Sequence, residues 1–224
     1  MERFGLIGRD IAHSESPELF RKAYGGRWEY DLMDFDCFAD AWRAFVEGPY
    51  KAVNVTSPFK TEAASRAGIK APEVERTGAA NILIKTPEGI LARNSDYLGL
   101  CVMLRGLKGT LLPQSGTCDV AVIGMGGAGM AAKCAAEDCG FRVSVHHHDG
   151  IADGVTAGII IYTLPSFVPG ADRLCCDVLI EANYKSPALE DEKHCRPHYI
   201  GGRQWLLAQA REGFPLMTGT MVGL

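Results

Sequence analysis

Short apolar runs alternate along this chain with longer stretches in which apolar residues recur every three or four positions. "RFGLIG" (Arg3–Gly8) reads as a strand stopped by glycine, and "WEYDLMDF" and "KAVNVT" as two more. Between them, "SPELFRKAYG" predicts a helix with a serine cap, proline at its first position and a stop at Gly25. "DCFADAWRAFVEG" predicts another helix, ending on Gly48. "KTEAASRAG" and "PEVERTG" read as two short helices, and "AANILIKTPEGILARNSD" as two strands joined by a turn at residues 87–89. An apolar helix, "YLGLCVMLRGL", leads into the polar, turn-rich "KGTLLPQSGT". There follow a strand, a glycine loop, an alanine-rich helix and a strand in "CDVAVIGMGGAGMAAKCAAEDCGFRVSVHHH". "AGIIIYTLP" and "CDVLIEAN" are two further buried strands, and "RQWLLAQAREGFPLMTG" is a terminal helix with an apolar stripe. Strands alternating with helices predict an α/β fold with part of the sheet parallel.

Composition narrows the class without naming a function. The 224 residues are 47% hydrophobic and 22% charged, with a net charge of −4. That describes a globular chain with enough core for one large or two small domains. No basic block suggests a nucleic-acid groove, and no apolar run approaches the roughly 18 residues of a membrane span. "MERFGLIGRD" carries charge at once and lacks the apolar core of a secretory leader. The eight cysteines are scattered without a CxxC pair, so they read as reduced, mostly buried thiols, and a cytoplasmic protein is expected.

Two stretches carry chemistry. In "VIGMGGAG", Gly124, Gly126, Gly127, Ala128 and Gly129 lie between a strand and a helix, the setting that a dinucleotide-binding loop requires. Gly124 would allow the tight turn, Gly126 the approach of a pyrophosphate, and Gly129 close helix–sheet packing, with the helix N-terminus facing negative charge. The alternative is a glycine-rich turn that binds nothing. About 20 residues further on, where such folds meet the adenine ribose, stand His146, His147, His148 and Asp149. His147 or His148 on a 2′-phosphate, and Asp149 on a free 2′-hydroxyl, both remain open. Alternate strand residues face opposite ways, so the three histidines cannot share one metal ion. "HCRPH" (residues 194–198) reads as a polar loop.

The second stretch is "AVNVTSPFK" (residues 52–60), where a strand end delivers Asn54, Thr56, Ser57, Pro58 and Lys60 together. With it, "GLIGRDIAHSESP", "GAANILI", "NSDYLG" and "LLAQAREGF" follow in an order that resembles the shikimate dehydrogenase family over nearly the whole chain. The resemblance implies an NADP-dependent oxidoreductase, with NAD as the alternative cofactor, that reduces 3-dehydroshikimate to shikimate on the route to chorismate and aromatic amino acids. It implies Lys60 and Asp96 as a coupled catalytic pair. It implies Ser14, Ser16, Asn54, Thr56, Asn81, Tyr184 and Gln209 as substrate contacts, the glycine loop with His147 and His148 as the cofactor site, and no metal. Read singly, these residues have plainer roles. Ser14 or Ser16 would cap a helix, Lys60 would be a surface lysine, Asn81 a turn residue, Tyr184 a core tyrosine and Gln209 a polar helix position. In an extended segment, Ser14 and Ser16 would present both hydroxyls on one side, suited to a carboxylate.

The expected architecture is an N-terminal α/β substrate domain, residues 1–98 joined by the helix at 202–224, and a Rossmann-like cofactor domain at 99–201. The sequence leaves open whether the protein is a monomer or a homodimer. Three departures from the family stand out. Only "DGIADGVTAG" joins two cofactor-domain strands, too few residues for a full crossover helix. Histidines stand where the family's NADP-dependent members carry an arginine. "IYTLPS" replaces the family's Asn-Ala-Thr motif, and Glu15 separates the two serines. These departures leave two further readings: a paralogue acting on quinate or another cyclic polyol, and a shikimate-binding protein that has lost turnover.

Overall fold

Phe4 and Ile7 lie three apart on the first strand, β1 (Arg3–Gly8), and therefore face opposite sides of a sheet. The chain continues through α1 (Ser16–Tyr24), β2 (Glu29–Asp34), α2 (Phe38–Glu47), β3 (Tyr50–Val55), α3 (Lys60–Arg66), β4 (Ile69–Lys70), α4 (Pro72–Thr77), β5 (Ile82–Thr86) and β6 (Gly89–Arg93). The strands form one sheet in the order β2-β1-β3-β5-β6-β4. β1 runs parallel to β2 and β3, whereas β5 is antiparallel to both β3 and β6. Ile7 joins Val53, Val55, Phe38, Phe45, Phe59 and Val74 in one core, beneath α2, α3 and α4. Phe4 packs instead against Phe20, which also meets Tyr24, Tyr30 and Phe214 with ring centroids 4.7 to 5.2 Å apart.

This computed structural model describes residues 2–110, 119–190 and 198–224. It divides into two units, Met1–Ser95 with Ala210–Leu224, and Asp96–Gln209. The second unit contains most of α5 (Ser95–Thr110), then β7 (Asp119–Ile123), α6 (Gly127–Asp138), β8 (Arg142–His146), β9 (Ile159–Tyr162), a 3-10 turn at Ala171–Arg173, β10 (Val178–Glu181), β11 (His198–Ile200) and the start of α7 (Gly202–Thr218). Its five strands are all parallel, in the order β11-β10-β9-β7-β8. "HCRPH" contributes only His198 to the described residues, at the start of β11.

The two faces of this sheet are covered differently. Leu100 and Leu104 of α5, Ala132 and Ala135 of α6, and Trp205 of α7 pack on one face. On the other, Ala121, Ile123, Ile160, Tyr162 and Leu179 are covered by Ile151, Val155, Ala157, Ala171, Leu174 and Leu189, which lie on loops and the 3-10 turn. Residues 147–158, between β8 and β9, contain no helix, in keeping with the short connection in the sequence. The loop layer closes its own polar groups. Ala157 N–H donates to Cys175 O at 3.1 Å, and Cys175 N–H to Val155 O at 2.9 Å. Gly170 has φ of 95°, and a Cβ there would stand 2.0 Å from Ile151 O, so glycine is required where the two loops meet.

Two features differ from the sequence expectation. The N-cap of α1 is Glu15, without a side-chain cap, and Ser16 already lies within the helix. Of the six described cysteines, Cys37 and Cys175 are exposed, and only Cys101 and Cys134 are buried. No helix among the described residues is long and apolar enough to cross a membrane.

Phe20 is fully buried at the centre of the aromatic cluster. Phe20→Ala should therefore cost about 3–5 kcal/mol of the first unit's stability, read from urea unfolding of the full chain.

Candidate functional site

The ends of β1 and β3 and the start of β5 meet at one edge of the first sheet. Val55 N–H donates to Asn81 O at 2.8 Å, and Thr56 N–H to Ile7 O at 2.8 Å. Gly8 has no room for a side chain, since a Cβ would stand 2.5 Å from both Ile11 and Thr56 methyl carbons. The loop after β1 is thereby pressed onto the threonine. Asn54 accepts the Tyr30 hydroxyl at 2.7 Å and donates to Asn81 O at 3.3 Å. The Ser57–Pro58 bond is cis, and the chain then enters α3 at the half-buried Lys60. Ala80 N–H donates to Lys60 O at 2.9 Å, tying the start of α3 to the segment before β5.

Asn81 is 3% exposed. Its Oδ1 accepts Ser95 N–H at 2.7 Å and its Nδ2 donates to Ser95 Oγ at 3.0 Å. The amide thus holds the start of α5, taking up one of the N–H groups that a helix start leaves unpaired. The preceding residue is fixed as well, because Asn94 Nδ2 donates to Ala79 O at 2.9 Å and to Thr77 Oγ1 at 3.1 Å. Asp96, the next residue along, is half-buried and opens the second unit.

Ser14 and Ser16 are placed on the loop after β1 and in the first turn of α1, with a relation other than the one expected. Glu15 between them is helical, at φ −77° and ψ −9°, so the segment is not extended. The two-residue period that would align the hydroxyls does not apply. Ser14 Oγ accepts Ser16 N–H at 3.3 Å, a local turn contact.

In the second unit, the glycine loop has the geometry that its sequence implies. Gly124 has φ of 92°, Gly126 is exposed with open space at its Cβ position, and a Cβ at Gly129 would stand 2.0 Å from Gly124 O. Helix α6 begins at Gly127 with no side-chain cap and no acidic residue in its first turn, which leaves its N-terminal N–H groups suited to an anion. These residues fit a dinucleotide pyrophosphate. Gly124 N–H donates to His146 O at 2.9 Å, which places the end of β8 beside the loop, with His147 and His148 exposed just beyond it. No cluster of three His, Cys, Asp or Glu among the described residues could hold a metal ion. Tyr184 is half-buried in the loop after β10, and Gln209 lies on α7, where its backbone leaves no room for a side chain on Gly99 of α5.

Residues 6–83 match the family model for the shikimate dehydrogenase substrate binding domain. Over this stretch the chain is similar to that substrate-binding domain. A shikimate dehydrogenase (NADP(+)) of Acidovorax sp. (strain JS42) is 37% identical over 128 residues, covering 55% of this chain and 44% of that protein. Its counterpart in Cupriavidus pinatubonensis is 35% identical over 144 residues, covering 62% and 48%. The chain therefore spans about half the length of the curated relatives that it matches. Among solved structures, shikimate 5-dehydrogenase from Thermus thermophilus in complex with shikimate superposes with a TM-score of 0.81 at 23% identity, over 99% of this chain and 94% of that one. An Ael1 enzyme from Pseudomonas putida gives 0.80 at 23% identity, over 99% and 95%. The fold is thus the two-domain α/β fold of these structures, with a Rossmann-like second domain.

The structure also shows residues that sequence reasoning passed over. Ser95 is the partner that gives Asn81 its role. Thr163, in the divergent "IYTLPS", bonds Ile123 O at 2.9 Å and Gly124 O at 3.2 Å, so it braces the glycine loop from the neighbouring strand. Its place directly after a buried strand was the one available signal.

Asn81→Ala would leave a buried N–H and hydroxyl at Ser95 short of partners. A loss of about 1–3 kcal/mol is expected in denaturant unfolding, and Asn81→Asp, which keeps the acceptor, should recover part of it.

Proposed function

We propose that this chain is a shikimate dehydrogenase that interconverts 3-dehydroshikimate and shikimate with NADP(H), in the biosynthesis of chorismate and aromatic amino acids. One observation carries the reading. Within the first unit, the hydrogen bonds from Ala80 N–H to Lys60 O and between Asn81 and Ser95 tie the start of α3 and the residue before Asp96 to one segment. The curated relatives named as NADP(+)-dependent shikimate dehydrogenases and the solved structure holding NADP(H) and shikimate support it.

In this reading, Lys60 hydrogen-bonds the reacting oxygen of the substrate and exchanges its proton, while Asp96 orients Lys60 and accepts a neighbouring hydroxyl. Asn54 and Thr56 present polar groups at the end of β3, and Tyr30 and the Asn81 backbone fix the Asn54 amide. Ser14 and Ser16 receive the carboxylate from a loop and a helix start, where the N–H groups of α1 also favour negative charge. Tyr184 and Gln209 complete the substrate contacts. A bound nicotinamide dinucleotide would supply the hydride acceptor or donor. Gly124, Gly126, Gly127, Ala128 and Gly129 would hold its pyrophosphate, with His147 and His148 beside the 2′-phosphate. A cytoplasmic location is part of this reading.

The helix-free crossover after β8 favours a second reading, in which the protein binds shikimate without turning it over. Near-ultraviolet absorbance of the reduced nicotinamide separates the two. Purified protein with shikimate and NADP should form reduced cofactor, and Lys60→Ala should lower kcat roughly 10²–10⁴-fold. Calorimetric binding of shikimate without turnover under NADP or NAD would establish the second reading instead. Neutral histidine holds a phosphate less firmly than a permanently charged guanidinium. His148→Arg should therefore tighten NADP(H) about tenfold and leave NAD(H) unchanged, measured by fluorescence titration.

A further inference from the structure

Three loops leave the second sheet at the carboxyl ends of β7, β9 and β10, the edge where ligands bind in parallel α/β sheets. Side-chain hydrogen bonds join them in series. Thr163, after β9, bonds Gly124 O at 3.2 Å and so reaches the loop after β7. Two residues on, Pro165 O accepts Asn183 Nδ2 at 3.0 Å, a bond that reaches the loop after β10. Asn183 Nδ2 also donates to Ser186 O at 2.7 Å, and its Oδ1 accepts Lys185 N–H at 3.1 Å and Ser186 N–H at 3.3 Å. Both hydrogens of the amide and both acceptor positions of its oxygen are thus in use.

Tyr184 lies inside this arrangement. On the far side of the loop, the fully buried Glu181 accepts the N–H groups of Ala188 and Leu189 and the hydroxyl of Tyr199. Gly202 presses on the backbone, since a Cβ there would stand 2.6 Å from Ala182 O and 2.8 Å from Tyr184 N. A local asparagine turn would account for the bonds from Lys185 and Ser186. It does not account for the bond to Pro165, eighteen positions back along the chain.

Resting on the dehydrogenase reading, we infer that Asn183 is a positioning residue that fixes Tyr184 for the substrate by bridging its loop to the loop bracing the cofactor site. The amide touches neither ligand and acts through Tyr184. The test is steady-state kinetics of the full-length enzyme with 3-dehydroshikimate and NADPH, in two backgrounds. Asn183→Asp keeps the oxygen that accepts the Lys185 and Ser186 N–H groups and removes the donor to Pro165 O and Ser186 O. It should raise the KM for 3-dehydroshikimate about tenfold, with NADPH affinity by fluorescence titration within about twofold and the melting midpoint unchanged. In a Tyr184→Ala background, the same substitution should leave KM unchanged, because the residue through which it acts is gone.

An unchanged KM in the wild-type background, or the same rise in both, overturns the inference and leaves the dehydrogenase reading standing. A wild-type protein that neither turns over nor binds the substrate overturns both.

Discussion

The amide of Asn81 closed on Ser95 is the interaction on which the arrangement of the first unit's candidate site depends. It joins the segment before β5 to the start of α5, and the same segment holds the start of α3 through Ala80 and the end of β3 through the Asn81 carbonyl. Three motifs far apart in sequence are thereby brought to one corner. At 3% exposure, an amide without these partners would be costly to bury, so the interaction acts as much by specifying the arrangement as by strengthening it.

The second unit solves a different problem. A parallel sheet must be covered on both faces, yet the crossover after β8 is too short to carry a helix. Apolar residues on loops take the helix's place, led by Ile151, and glycines at 154 and 170 allow those loops to lie close together. The glycine loop keeps its geometry because its supports come from elsewhere: Thr163 from β9, the β8 backbone at His146, and α6 itself.

The elements were legible where local rules govern. Strand alternation, Pro17 and Gly25 bounded β1 and α1, and a strand before "GMGGAG" with a helix after it marked the loop whose backbone leaves no room for a side chain at Gly124 or Gly129. For Ser14 and Ser16 only the extended geometry fails, because the helix already begins at Ser16. The expectation of mostly buried cysteines does not hold among the described ones, of which Cys101 and Cys134 are buried while Cys37 and Cys175 are exposed. The role of Ser95 was hidden for another reason. It depends on a partner fourteen positions earlier, and a hydroxyl at a helix start looks the same in sequence whether or not a buried amide meets it. Asn183 was equally silent, as an asparagine after a strand reads as an ordinary turn.

Phe214 and Thr218, at the end of α7, belong to the first unit. The phenyl ring packs on Phe20, and the Thr218 hydroxyl meets that of Tyr24 at 2.9 Å. A chain emerging from the ribosome has made all of that unit's strands long before it makes these two residues. The second unit's residues are therefore synthesised while the aromatic face that Phe214 covers in the first is still open. A chaperone that shields aromatic surface, or a pause in synthesis before α7, would act on this protein during that interval.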